Sequence, residues 1–198
     1  MRRIVFATGN VGKLREIKNI MADLPVEVVS MKEAGIEAEI EETGETFEEN
    51  AKIKAQAVAA HTDEIVLADD SGLEIDYLNK EPGVYSARYL GENTSYEIKN
   101  QTILDRLSGV EKEKRTARFV CAIAAVLPNK ETLVTRETIE GYIGEKPAGE
   151  NGFGYDPIFY VEEYQCSTAE LSEEQKNAIS HRGKALRAMK KLLREYGV

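Results

Sequence analysis

Tryptophan is absent from this chain, and cysteine and histidine occur only twice each in 198 residues. Cys121 and Cys166 lack the spacing of a metal-binding pair, and two thiols cannot staple a small secreted scaffold, so a disulfide framework and a zinc ribbon are excluded. Cys121 lies in the apolar run Phe119 to Val126 and reads as a small core residue. Long apolar runs are missing as well. Ile4-Val5-Phe6-Ala7 stops at Thr8-Gly9-Asn10, short of the about 7–15 residues of a secretory core and the about 20 of a membrane helix. The expectation is a protein of the reducing cytoplasm with no membrane partner. Positive charge is in deficit: 26 Lys and Arg against 35 Asp and Glu leave a formal net charge of −9. That disfavours a sequence-independent grip on nucleic acid. No repeat, low-complexity tract or linker-like run divides residues 1–198, so one large domain or two small lobes, long enough for a real core, is expected.

The stretch around which the rest is organised is Ile65 to Glu74. Ile65 to Ala68 reads as a short strand that ends at Asp69-Asp70-Ser71-Gly72. Adjacent carboxylates after a buried strand repel each other and resist desolvation, so positive groups belong beside them. Successive strand side chains point to opposite faces, which lets one Asp serve a site while its neighbour bonds local backbone. Such a carboxylate holds a divalent cation or activates a water. The plainer reading is an Asp-Ser-Gly turn capping a strand.

Strand, glycine-bearing turn and helix are also expected at Arg3 to Ala7, Thr8 to Lys13, and the helically spaced Val11, Leu14, Ile17, Met21 and Leu24. Asn10 suits the N-cap. A helix start of this kind directs backbone N–H groups and a dipole at an anion, and Lys13 adds a full charge. It is not a Walker A loop, because no Ser or Thr follows Gly12-Lys13. Thr46-Phe-Glu-Glu49 has capping-box form and opens a helix through Val58, which accounts for Glu48 and Glu49. Glu41 and Glu42 precede that helix, and one of them beside Asp70 would complete an oxygen-ligand site for Mg²⁺. A helix is expected over Ser95 to Leu107 with Ile98, Leu104 and Leu107 inward, then an antiparallel pair at Thr116 to Leu127 and Thr132 to Ile139. The sheet should therefore be mixed.

Further on, Gly152-Phe-Gly-Tyr-Asp156 has two glycines around an aromatic. They free the backbone to approach a flat ligand, with Phe153 or Tyr155 as stacking face and Asp156 as acceptor for a ring N–H. A glycine-kinked strand edge is the plainer alternative. Ser172-Glu-Glu-Gln175 forms a second capping box. Ser180-His-Arg-Gly-Lys184 then puts a basic cluster at the start of an amphipathic last helix, unfavourable unless an anion or a carboxylate lies opposite.

Thr8-Gly-Asn-Val-Gly-Lys13, Glu41-Glu-Thr-Gly44, Ala68-Asp-Asp-Ser-Gly-Leu73, Pro82-Gly-Val-Tyr-Ser-Ala-Arg-Tyr89, Gly152-Phe-Gly-Tyr-Asp-Pro-Ile-Phe159 and Ser180-His-Arg-Gly183 follow one another in this order. In this the chain closely resembles the inosine triphosphate pyrophosphatases, nearly end to end. The resemblance implies a two-lobed α/β fold around a long twisted mixed sheet with flanking helices, the active site lying in the cleft between lobes. It implies a cytoplasmic homodimer that uses Mg²⁺ to hydrolyse ITP, dITP and XTP to monophosphate and pyrophosphate. By position, Thr8, Gly9, Asn10, Val11, Gly12 and Lys13 would grip the triphosphate. Glu41 and Asp70 would bind the metal, Asp70 also accepting a proton from the attacking water. Glu42 competes with Glu41 for the inner-sphere place. Ser71 would touch substrate, and Phe153, Gly154, Tyr155, Asp156, Lys176, His181 and Arg182 would form the base site. Ile139 departs from the family, which commonly has an aromatic there. Two other readings are a septum-formation-inhibitor type of nucleotide pyrophosphatase and a non-catalytic nucleotide-binding regulator. The joint presence of Lys13, Glu41 and Asp70 speaks against the regulator.

Overall fold

The structure, a computed structural model, describes residues 2–198. Its strands are β1 (Arg2–Phe6), β2 (Val26–Ser30), β3 (Ile65–Ile75), β4 (Thr116–Val126), β5 (Thr132–Ile143), β6 (Phe159–Val161) and β7 (Cys166–Ser167). The helices are α1 (Val11–Ile20), α2 (Phe47–Ala59), α3 (Tyr96–Arg106), α4 (Glu173–Ile179) and α5 (His181–Glu195). The strands form one sheet in the order β2-β1-β3-β4-β5-β6-β7. β1 lies parallel to β2 and to β3, as the intervening α1 and α2 require of crossover connections. β6 is antiparallel to β5 and to β7, so the sheet is mixed. Among the described residues no helix is long and apolar enough to cross a membrane.

The chain divides into two compact units. The first comprises Met1–Asp70, Cys121–Glu137 and Arg182–Val198; the second comprises Ser71–Val120 and Thr138–His181. In the first, Ile4, Phe6, Ile65, Leu67 and Ile123 pack with Ile17 of α1, with Met21 just past its end and with Leu186, Met189 and Leu193 of α5. In the second, Leu73, Ile75, Phe119, Ile143 and Phe159 pack with Ile103 and Leu104 of α3.

The local signals act where the sequence places them. Asn10 caps α1, accepting from the N–H groups of Gly12 and Lys13 at 2.9 and 3.1 Å. Thr46 with Glu49, and Ser172 with Gln175, close reciprocal capping boxes on α2 and α4. Several features differ from expectation: α1 ends at Ile20, short of Met21 and Leu24, with Val11 exposed, and β5 runs on to Ile143 instead of ending at Ile139. β3 does not stop at Ala68 but runs through Asp69, Asp70, Ser71 and Gly72 to Ile75, because both carboxylates find cations and the ladder continues past them. In α3 it is Ile103 that turns inward while Ile98 is exposed. The buried stripe is Lys99, Asn100, Ile103 and Leu104, continued by Leu107 just past the helix end.

Candidate active site

The alternation of β3 separates its two carboxylates. Ile65, Leu67 and Asp69 share one face, toward the α1 and α5 side chains of the first core. There Asp69, almost fully buried, meets Lys13 Nζ at 2.8 Å and Arg182 Nε at 3.3 Å. Arg182 also pairs with Glu16 of α1 at 3.2 Å. Asp69 and Glu16 are thus the carboxylates that a basic helix start demands. Burial alone would raise the Asp69 carboxyl, but Lys13, Arg182 and Lys54 overrule it and hold it well below the usual carboxylate range.

Asp70 takes the other face, toward α2. Its Oδ1 lies 3.1 Å from Lys54 Nζ, and the same ammonium reaches Glu42 Oε1 at 3.0 Å. Burial pushes the Asp70 carboxyl up, Glu42 and Asp69 add to this, and Lys54 only partly offsets them. Lys54 itself is driven up against burial by Asp70, Asp69 and Glu42. Two adjacent carboxylates are therefore driven in opposite directions, one locked as an anion and one made a better proton acceptor. Asp70 Oδ2 is buried and has no hydrogen-bond partner among the described residues. A carboxylate oxygen in that state has an unmet demand that a cation or a water hydrogen satisfies.

The acidic loop is pinned by α2. Asn50, fully buried, accepts the Gly44 N–H at 2.8 Å. A Cβ on Gly44 would approach Asn50 Oδ1 to 2.7 Å, so the close approach needs glycine. Lys54 follows Asn50 by four residues, one helical turn on the same face. Glu42 is half-buried there, whereas Glu41 is exposed. The chemistry of this set, two carboxylates already sharing one cation, fits a hard divalent ion with oxygen ligands. Among the described residues no three His, Cys, Asp or Glu side chains form a closed metal cage, and Mg²⁺ needs only one or two carboxylates beside phosphate and water. The Thr8 to Lys13 turn is open to solvent at Gly9, Asn10, Val11 and Gly12. Asn10 already claims two of its N–H groups, which leaves the dipole and the Lys13 charge as its main attractions for an anion. Ser71, next in β3, is half-buried.

The second unit carries the aromatic turn. Gly152 and Gly154 have φ of +74° and +67°, values that L side chains adopt only with strain. A Cβ at Gly152 would also strike Asp156 Oδ2. Asp156 is buried and wholly engaged: Oδ2 accepts from Phe153 N at 2.8 Å and from Lys176 Nζ, and Oδ1 accepts from Thr168 Oγ1 at 2.8 Å. Phe153 is 60% exposed with Lys176 Nζ 5.1 Å from its ring centre. Tyr155 is buried and donates to Ser86 O at 2.6 Å. Of the two candidate stacking faces, only Phe153 is open. His181 stacks on Phe119 with ring centres 5.1 Å apart. Arg182 belongs to the first unit, where its guanidinium serves Asp69 and Glu16.

Lys54, Glu16, Asn50 and Thr168 escape the sequence reading. Lys54 had a signal: it falls among Ala51, Ala55 and Val58, a charge on the apolar face of α2. Glu16 and Thr168 carry no local pattern that distinguishes them.

The buried ion pairs imply a stability effect. Arg182→Met removes one of the buried ion pairs of Asp69 and should lower unfolding free energy by about 3 kcal/mol, read from urea denaturation at pH 7. A loss under about 1 kcal/mol would contradict the pairing. The Asp69 carboxyl is depressed in the fold, so its stabilisation is present above the unfolded value of about 3.9 and is lost as pH falls below it.

Fold and charge together define a mixed-sheet α/β protein with a carboxylate–ammonium cluster midway along its third strand. Residues 4–192 match the model of the Ham1 family, and the chain belongs to that family. A dITP/XTP pyrophosphatase of Bacillus subtilis (strain 168) is 51% identical over 193 residues, 98% of each chain. One of Thermoanaerobacter pseudethanolicus is 52% identical over 188 residues, 95% of this chain and 94% of that one. A HAM1 protein from Coxiella burnetii has a similar structure, with TM-score 0.91 at 44% identity over 98% of this chain and 100% of the other. The Ham1 protein of Staphylococcus aureus matches with TM-score 0.91 at 45% identity over the same shares.

Proposed function

We propose that this protein is a nucleoside triphosphate pyrophosphatase that hydrolyses deaminated purine nucleotides, ITP, dITP and XTP, to the monophosphate and pyrophosphate. The observation that carries this reading is the split pair Asp69 and Asp70. One carboxylate anchors Lys13, while the other keeps a buried oxygen unpartnered among the described residues. The dITP/XTP pyrophosphatases named above support the substrate class.

Asp70 and Glu42 would hold a Mg²⁺ ion, with Glu41 as the exposed alternative. When bound, that ion neutralises phosphate charge and polarises the phosphoryl oxygen. Lys13, Lys54 and the α1 dipole supply further positive charge to the polyphosphate and to the leaving pyrophosphate. Asp70 Oδ2, the buried oxygen without a hydrogen-bond partner among the described residues, takes the proton of the attacking water. Phe153 offers the purine a ring to stack on. Lys176 Nζ has three N–H donors, of which Asp156 uses one, so it can donate to a 6-carbonyl. Adenine's amino group would face the same donors and leave them unpaired, a mismatch worth up to about 10⁴-fold. Guanine keeps the carbonyl, so its 2-amino group must be refused separately. A homodimer is part of the proposal, supported by the exposed apolar side chains Tyr85, Leu90 and Ile98 in the second unit.

A panel of ITP, dITP, XTP, dGTP, dATP and TTP with Mg²⁺ tests the substrate class. The 6-oxo purines without a 2-amino group should exceed dATP and TTP in kcat/KM by at least about 10²-fold. Equal turnover of TTP would favour the septum-formation-inhibitor type instead.

A further inference from the structure

Helix α3 carries two polar side chains on its buried face that no part of the proposed chemistry uses. Lys99 is 1% exposed and has no carboxylate partner among the described residues. Its Nζ donates to Ala87 O at 2.6 Å and lies 4.7 Å from the Tyr96 ring centre. The neighbouring Asn100, also buried, donates Nδ2 to Gly154 O at 3.1 Å, while its Oδ1 is left without a partner among the described residues. Neither arrangement serves stability. A buried ammonium paired with one carbonyl, and an amide with half its capacity unmet, cost more than apolar side chains of the same size. What the two groups deliver is position.

The Tyr96 ring lies 3.6 Å from where a Cβ on Gly154 would stand, and the Tyr155 ring meets it edge-on with centres 5.2 Å apart. Tyr155 in turn bonds Ser86 O, one residue before the carbonyl that Lys99 holds. The face Tyr96, Lys99 and Asn100 thus grips the Phe153 to Asp156 turn and the Ser86–Ala87 segment at once. We propose that Lys99 and Asn100 are positioning residues that set the aromatic turn for the purine ring and so determine base affinity. This rests on the reading of that turn as the base site.

The test compares Asn100→Leu and Lys99→Met with Ile103→Ala, a core truncation of the same helix. Ile103 makes none of the network's hydrogen bonds or ring contacts, although it shares the second core with Tyr155. For each variant, KM and kcat for dITP, inhibition by inorganic tripolyphosphate and the thermal midpoint are measured. Asn100→Leu and Lys99→Met should raise KM about tenfold with kcat within about twofold. Their midpoints should be unchanged or higher, because Ala87 is exposed and Gly154 half-buried, which leaves the freed carbonyls close to solvent. Tripolyphosphate inhibition should not move. Ile103→Ala should lower the midpoint and leave KM as it was. An unmoved KM in both variants overturns the inference, as does a matching KM rise in Ile103→Ala. A collapse of thermal stability in both assigns the pair to the core and overturns it too. Absence of dITP turnover in the wild type sinks the proposed function and this inference together. Wild-type turnover with unmoved KM in the variants sinks the inference alone.

Discussion

Asp70→Asn should cut dITP turnover about a thousandfold while leaving nucleotide affinity within about threefold. The asymmetry follows from the geometry. The substitution preserves volume and keeps an oxygen acceptor that can still face Lys54 Nζ at Oδ1's place. It removes the anionic oxygen at Oδ2, the atom without a partner among the described residues, and with it the acceptor for the water's proton. Because Asp69, Lys13 and Arg182 lie on the opposite face of β3, the phosphate-side charges stay where they are. Binding and stopped-flow turnover with dITP check both halves. Near wild-type turnover would remove Asp70 from the chemistry, and a large loss of binding with a small loss of turnover would make it a substrate-holding group.

Lys54→Met produces the second large effect, with two signs. Turnover should fall at least about a hundredfold, since a charge that stabilises the polyphosphate is lost. Divalent-cation binding in the absence of nucleotide should instead tighten about tenfold. Lys54 Nζ sits about where two carboxylates converge, 3.0 Å from Glu42 and 3.1 Å from Asp70, and its charge repels any second cation brought to them. Calorimetric titration of Mn²⁺ or Mg²⁺ into the nucleotide-free protein reads this directly. Weaker binding would mean that Lys54 orders the carboxylates more than it competes with the ion.

Much of this was legible in the chain. The crossover units β1-α1-β2 and α2-β3 follow from short apolar runs alternating with helical spacing, and Asn10, Thr46 and Ser172 mark their helix starts through side-chain oxygens alone. Period-2 alternation sends Asp69 and Asp70 to opposite faces. What could not be read was which cation each carboxylate meets. Lys13 and Arg182 are 169 residues apart, and both reach Asp69 only because α1 and α5 pack on one side of β3. For the same reason β3 runs longer than its apolar start at Ile65 to Ala68 suggests. Two carboxylates in sequence look like a strand end until their partners are known. The choice between Phe153 and Tyr155 as the open ring likewise depends on burial, which the motif does not encode.

The central claim is that water attacks the α-phosphorus of a deaminated purine triphosphate. Hydrolysis of dITP in H₂¹⁸O with Mg²⁺, followed by mass spectrometry of the products, tests it most directly. The account predicts one ¹⁸O in dIMP and none in an intact pyrophosphate. Label in the pyrophosphate, or release of orthophosphate, would contradict it.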